Sequence, residues 1–206
     1  MSEGDDVPSV EGMDLIGGDV SMDFVNTASG RHLPDPTDRL RTFSDLVTWA
    51  ERVALVGPQG AVRLRRAAAR DAAGASRALE AARSLREVIH RVFTSALADA
   101  GDLETLARAA AAAVAARRLE ARPDGGYALV RPEGDDPEQI LGEVALSAVE
   151  LLTSEDRGRV KECANDSCRW LFLDQSKNRS RRWCMMKDCG NQAKARRFQA
   201  RKRQGR

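Results

Sequence analysis

All four cysteines of this 206-residue chain fall in one short segment, "CANDSCRWLFLDQSKNRSRRWCMMKDCGN", as two C-x4-C pairs: Cys163 with Cys168 and Cys184 with Cys189. Four thiolates at tetrahedral positions saturate Zn2+ and leave no open coordination position, which is the pattern of a structural rather than a catalytic site. A segment of about 45 residues buries too little apolar surface to fold alone, and one zinc ion per chain supplies the missing free energy. Two disulfides would need an oxidising compartment. Four unrelated buried cysteines, an iron–sulfur cluster or redox-active thiols are the remaining alternatives.

The 15 residues between the pairs suffice for a hairpin. "RWLFLD" sets Trp170 and Phe172 on one face and Leu171 and Leu173 on the other, "QSKNRS" is a turn, and "RRWC" returns. The tail "GNQAKARRFQARKRQGR" reads as a helix opened by Gly190-Asn191. The unit is therefore a knuckle–hairpin–knuckle–helix.

Charge divides the chain in the same place. Residues 157–206 carry 16 Lys and Arg against 4 Asp and Glu, a net of +12, while the remainder carries −10. Balancing the formal −2 of a four-thiolate zinc does not require that excess, so the tail's partner is read as a nucleic acid, with the charge alone leaving DNA and RNA both open. Lys194, Arg197 and Arg201 share one face of the terminal helix, Arg196 lies on another, and Arg179, Arg181 and Arg182 sit beside the hairpin turn.

Upstream, apolar periodicity is helical. Segments at "TFSDLVTWAERVALVG", about 59–70, Ser76 to Ala100, from Asp102, and "DPEQILGEVALSAVELLTS" are amphipathic or rich in helix formers. Thr42 or Ser44 caps the first, and Asp136-Pro137 opens the last. Extended runs around Pro123-Asp124-Gly125-Gly126 read as a β-hairpin. The alanine run at 109–116 predicts close helix packing. The fold class is mainly α, with a disordered start over 1–12, a helical domain over 13–157 and a zinc module over 158–206. No run approaches the roughly 20 apolar residues of a membrane helix. The acidic, polar start lacks a secretory pattern, so the chain is expected in the cytoplasm. There is no phosphate-binding glycine loop, no nucleophile motif and no carboxylate pair of catalytic spacing, so no enzyme activity is expected.

Within "DVSMDFVNT" the polar residues interleave with Phe24 and Val25. In one reading Asn26, with Arg31 or His32, lines a small-molecule pocket. In the other, Asn26 caps a turn and Asp23 pairs with an arginine.

The cysteine segment resembles the CGNR-type zinc finger of bacterial proteins through its paired cysteines, W-x-F-x-D (Trp170, Phe172, Asp174), R-R-W-C (Arg181 to Cys184) and C-G-N-x-x-K (Cys189 to Lys194). "DVSMDFVNT" followed by "LRTFSDLVTWAERVALV" resembles the ABATE domain that precedes such fingers. The resemblance implies a stress-induced transcription regulator: a helical part that senses a small-molecule or protein effector, joined to a zinc module that binds DNA. An RNA- or ribosome-binding protein, or an enzyme domain delivered to nucleic acid by the finger, are the rival functions. Gln192 stands where the family has arginine. It can meet a base edge but brings no charge to a phosphate.

Overall fold

The computed structural model describes residues 9–131 and 136–204. Among them lie seven helices: α1 Val20–Val25, α2 Phe43–Arg52, α3 Pro58–Arg70, α4 Ala72–Thr94, α5 Ala100–Ala116, α6 Pro137–Thr153 and α7 Asn191–Gln204. Three antiparallel two-stranded sheets accompany them: β1 Ala28–Ser29 with β2 Thr37–Asp38, β3 Arg118–Ala121 with β4 Tyr127–Val130, and β5 Val160–Glu162 with β6 Leu171–Leu173. The mainly α class and the small hairpin are as the sequence predicts.

Local chemistry sets the helix ends. Thr42 accepts from the Asp45 N–H while the Asp45 carboxylate reaches back to the Thr42 N–H, a complete capping box. Asp136 caps α6 with Pro137 in its first turn. Gly57-Pro58 opens α3, where proline loses nothing because the first N–H groups have no helical partner.

The main core gathers Phe24, Leu46, Trp49, Leu64, Ile89, Leu106, Ile140, Val144 and Ala148, with the rings of Phe24 and Trp49 4.9 Å apart. α5 and α6 approach closely, as the alanine run predicts. A Cβ built on Gly142 would lie 2.9 Å from the Ala113 Cβ, so only glycine admits this approach. The disorder expected over 1–12 falls partly on residues 1–8, outside the described residues. Of the remainder, Val10 is fully buried and its carbonyl accepts from Arg52.

β6 determines how the finger sits. Leu171 and Leu173 belong to the main core, while Phe172 belongs to a second cluster with Cys163, Cys184 and Cys189. This period-2 division is the one the sequence predicts, but the strand's partner differs. β6 pairs with β5, upstream of the first cysteine pair, and not with the returning segment at Arg181–Cys184. The first knuckle reverses the chain within six residues, so β5 reaches β6 before the longer basic turn can. The returning segment makes one backbone bond to the knuckle, from the Ala164 N–H to the Arg182 carbonyl at 2.8 Å.

Asp23 carries a measurable consequence of burial. Its carboxylate accepts from the Gly17 N–H at 2.7 Å. Burial pushes its pKa up to about 6 against that bond, with the Asp19 charge adding to the rise. The unfolded chain releases this proton near pH 4 and the folded chain near 6, so ionised Asp23 weakens the fold as pH rises through that interval. His90 acts oppositely, since burial, with Arg31 beside it, lowers its pKa to about 4. Comparison of Asp23→Asn with the parent chain isolates the carboxylate, because asparagine can still accept from Gly17. The variant's stability advantage in urea melts is expected to open between pH 4 and 6 and to reach about 3 kcal/mol at pH 7. A pH-independent difference would contradict the assignment.

Candidate metal centre and basic surface

The four cysteine sulfurs lie within 4.8 Å of one another. Cys168 Sγ is 3.6 Å from Cys184 Sγ, and Cys184 Sγ is 3.6 Å from Cys189 Sγ. A tetrahedron with Zn–S bonds of about 2.3 Å has edges of roughly 3.8 Å, so this set matches a single zinc. Hydrogen bonds from Cys168 and Cys184 hold the Cys163 thiol far below its usual range, and sharing with Cys163 pushes Cys168 and Cys184 up. Thiols this close ionise as a set, and full deprotonation needs a cation among them.

Each knuckle is built by its backbone. In the first, the Asn165 carbonyl accepts from the N–H groups of Cys168 and Arg169, and Arg169 adopts φ +53° to turn the chain into β6. In the second, a π-type turn over Met186–Gly190 runs directly into α7. α7 therefore begins without the Asn191 side-chain cap that the sequence suggests. That side chain instead donates to the Lys187 carbonyl at 2.8 Å.

Asp174 fixes the basic turn. It is fully buried, pairs with Lys161 at 2.7 Å, and accepts from the Ser176 hydroxyl and N–H and the Arg181 N–H. Burial alone would raise its pKa, but these donors outweigh it and hold the carboxyl far below the usual range.

Family models match in the same two places. The ABATE model, described as "Putative stress-induced transcription regulator", matches residues 18–155. The chain belongs to the ABATE family. The CGNR zinc finger model matches residues 159–202, and with the clustered cysteines this makes the ABATE chain's metal centre a single structural zinc site. No curated protein matches the chain. The two models describe a transcription regulator and a zinc finger. Among the described residues, no helix is long and apolar enough to cross a membrane.

The structure separates the basic residues by task. The Arg181 guanidinium lies 4.5 Å from the Phe172 ring centroid and donates to the Cys184 carbonyl, so it braces the second knuckle. Arg182 stacks over Trp183 at 5.4 Å, and Arg179 stands exposed in the turn at φ +47°. Lys194, Arg196, Arg197 and Arg201 are exposed on α7, with Arg196 donating to the Ser167 hydroxyl. Gln192 bridges the knuckles: its oxygen accepts from Asn165 at 3.0 Å and its nitrogen donates to Asp188 at 2.8 Å.

The ABATE-motif residues are engaged inside the protein. Asn26, fully buried, donates to the Leu171 carbonyl at 2.8 Å and accepts from the Leu171 N–H at 2.9 Å. Its amide thus pairs with β6 as a neighbouring strand would. Arg31 binds Glu87 at 2.8 Å and the carbonyls of Val25 and Ala28. His32 is exposed. Sequence reasoning missed Asn165, Lys161 and the buried Arg86, which makes a bidentate pair with Asp38 at 2.7 Å in both arms. An asparagine between two cysteines was the only local signal for the first. The others depend on residues distant in sequence.

Gln192 yields a further prediction. Arginine has no acceptor, so Gln192→Arg forfeits the Asn165 bond while placing a cation beside Asp188. Zinc content, read by native mass spectrometry, is expected to hold. Loss of zinc would make the knuckle bridge essential.

Proposed function

We propose that this chain is a zinc-dependent DNA-binding transcription regulator in which residues 158–206 bind DNA and residues 13–157 sense an effector. The observation that carries the reading is α7. It contacts the rest of the protein chiefly at the second knuckle, and nearly every residue along it is exposed. It holds Lys194, Arg196, Arg197, Arg201, Lys202 and Arg203 and no acid, and among the described residues no carboxylate pairs with them. Beyond the bonds of its first turns to the knuckles, this helix turns cations with no acid partner into solvent, so its order and charge serve a polyanion. Phe198, 70% exposed, shares the face of Lys194 and Arg201. An apolar contact on a cationic helix suits a thymine methyl in the major groove.

The sensing role rests on the loop after α1. Asn26 holds the finger strand and Arg31 holds α4, so an effector reaching this loop near His32 would act by competing for those bonds and loosening β6. The test is recovery of nucleic acid cross-linked to the full chain in cells, with DNase and RNase arms. Discrete DNA segments that survive RNase support the proposal. Recovery abolished by RNase alone assigns the same surface to RNA.

A further inference from the structure

The β3–β4 hairpin stands at the end of the α5–α6 pair, rooted by the Arg117–Glu143 bridge at 2.8 Å. Both of its faces meet solvent, the apolar one included. Leu119 opposes Leu129 and Ala121 opposes Tyr127, all on one face, yet Leu119, Leu129 and Tyr127 are 69%, 59% and 72% exposed. A two-stranded hairpin with an uncovered apolar face is marginal in water, and its open edge is a template for another strand.

The register says which groups that edge offers. The Arg122 N–H donates to the Gly126 carbonyl at 2.7 Å, so Glu120 and Arg118 turn their backbone groups towards β4. Leu119 and Ala121 therefore turn theirs outwards. We propose that β3 pairs antiparallel with β3 of a second copy of this chain, about a two-fold axis at Leu119. In that register Leu119 exchanges both backbone bonds with its counterpart. Arg118 faces Glu120 of the other copy and Glu120 faces its Arg118, so the strand is complementary to itself in charge. Leu129, Leu119 and their two counterparts then form one apolar stripe across four strands. Centring on Glu120 would set like charges opposite one another and misalign the backbone donors. Centring on Ala121 would run the pairing into Pro123, which has no N–H.

The test is sedimentation of the zinc-loaded full chain over a range of concentrations, with far-UV circular dichroism as the control for folding. The parent chain is expected at twice its 22.5 kDa mass. Arg118→Glu and Glu120→Arg each place two like-charged pairs across the axis, and each is expected to raise the dissociation constant about tenfold or more. Together they restore opposite charges, so the double variant is expected to return to near the parent value. A parent chain that stays monomeric, a dimer indifferent to the single reversals, or a double variant as weak as the singles would each overturn the pairing. The last two would place the contact on another surface or register.

Discussion

Removing zinc is expected to weaken the helical body as well as the finger. β6 faces both ways, with Phe172 against the cysteines and Leu171 and Leu173 in the main core. If Cys184→Ser or a chelator releases the metal, the first knuckle that sets β6 against β5 loses its closure, and β6 keeps only its contacts with the body to hold it. The body then exposes the sites of two leucines, about 1.5–3 kcal/mol each. It also leaves the buried Asn26 amide without both partners, about 1–3 kcal/mol more. The Leu173 N–H bond to the Gly17 carbonyl, 2.7 Å, goes as well. The expected result in thermal melts is a single transition lowered by well over 10 °C, with helical signal lost along with the finger. Two separate transitions, the upper one unmoved by chelation, would mean that residues up to about 157 fold independently. The fragment 1–157 should behave like the metal-free chain, because it lacks the same strand.

Asn26→Ala separates this coupling from the metal itself. It removes both bonds to Leu171 yet touches no cysteine. Zinc should stay bound while the shared stability falls.

How far the sequence led depends on the range of each interaction. The four cysteines, a helix cap at Thr42 or Ser44, the Asp136-Pro137 helix start and the Pro-Asp-Gly hairpin turn are written within a few residues and were legible, though which of the two capped, and the reach back from Asp45, were not. The two-faced character of "WLFL" was legible too, from period-2 alternation alone. What it faced was not. Asn26 and Leu171 are 145 positions apart, and an asparagine after a short helix looks the same whether it caps a turn or holds a distant strand. The strand partner of β6 was misplaced for a related reason, since the pattern favours a return through "RRWC" while the knuckle brings β5 into place first. Arg181 looked like its exposed neighbours because charge alone does not reveal that a guanidinium lies on a phenyl ring.

The second large effect concerns α7. Lys194, Arg197 and Arg201 fall within about 60° of one helix face, and no described carboxylate neutralises them. If each meets a phosphate, changing all three to alanine removes three counterion-release contacts. The slope of log affinity against log salt should fall by about 2.7, and binding at 0.15 M salt should weaken about a hundredfold, similarly for all duplex sequences. Zinc and fold should be unaffected, because these side chains are exposed and lie beyond the second knuckle. Phe198→Ala provides the contrast: it removes no charge, so the salt slope should hold while any preference for thymine-containing sites declines. An unchanged slope in the triple variant would move the phosphate contacts to the turn. There Arg179 and Arg182 are the candidates, since Arg181 is already held by Phe172 and the Cys184 carbonyl.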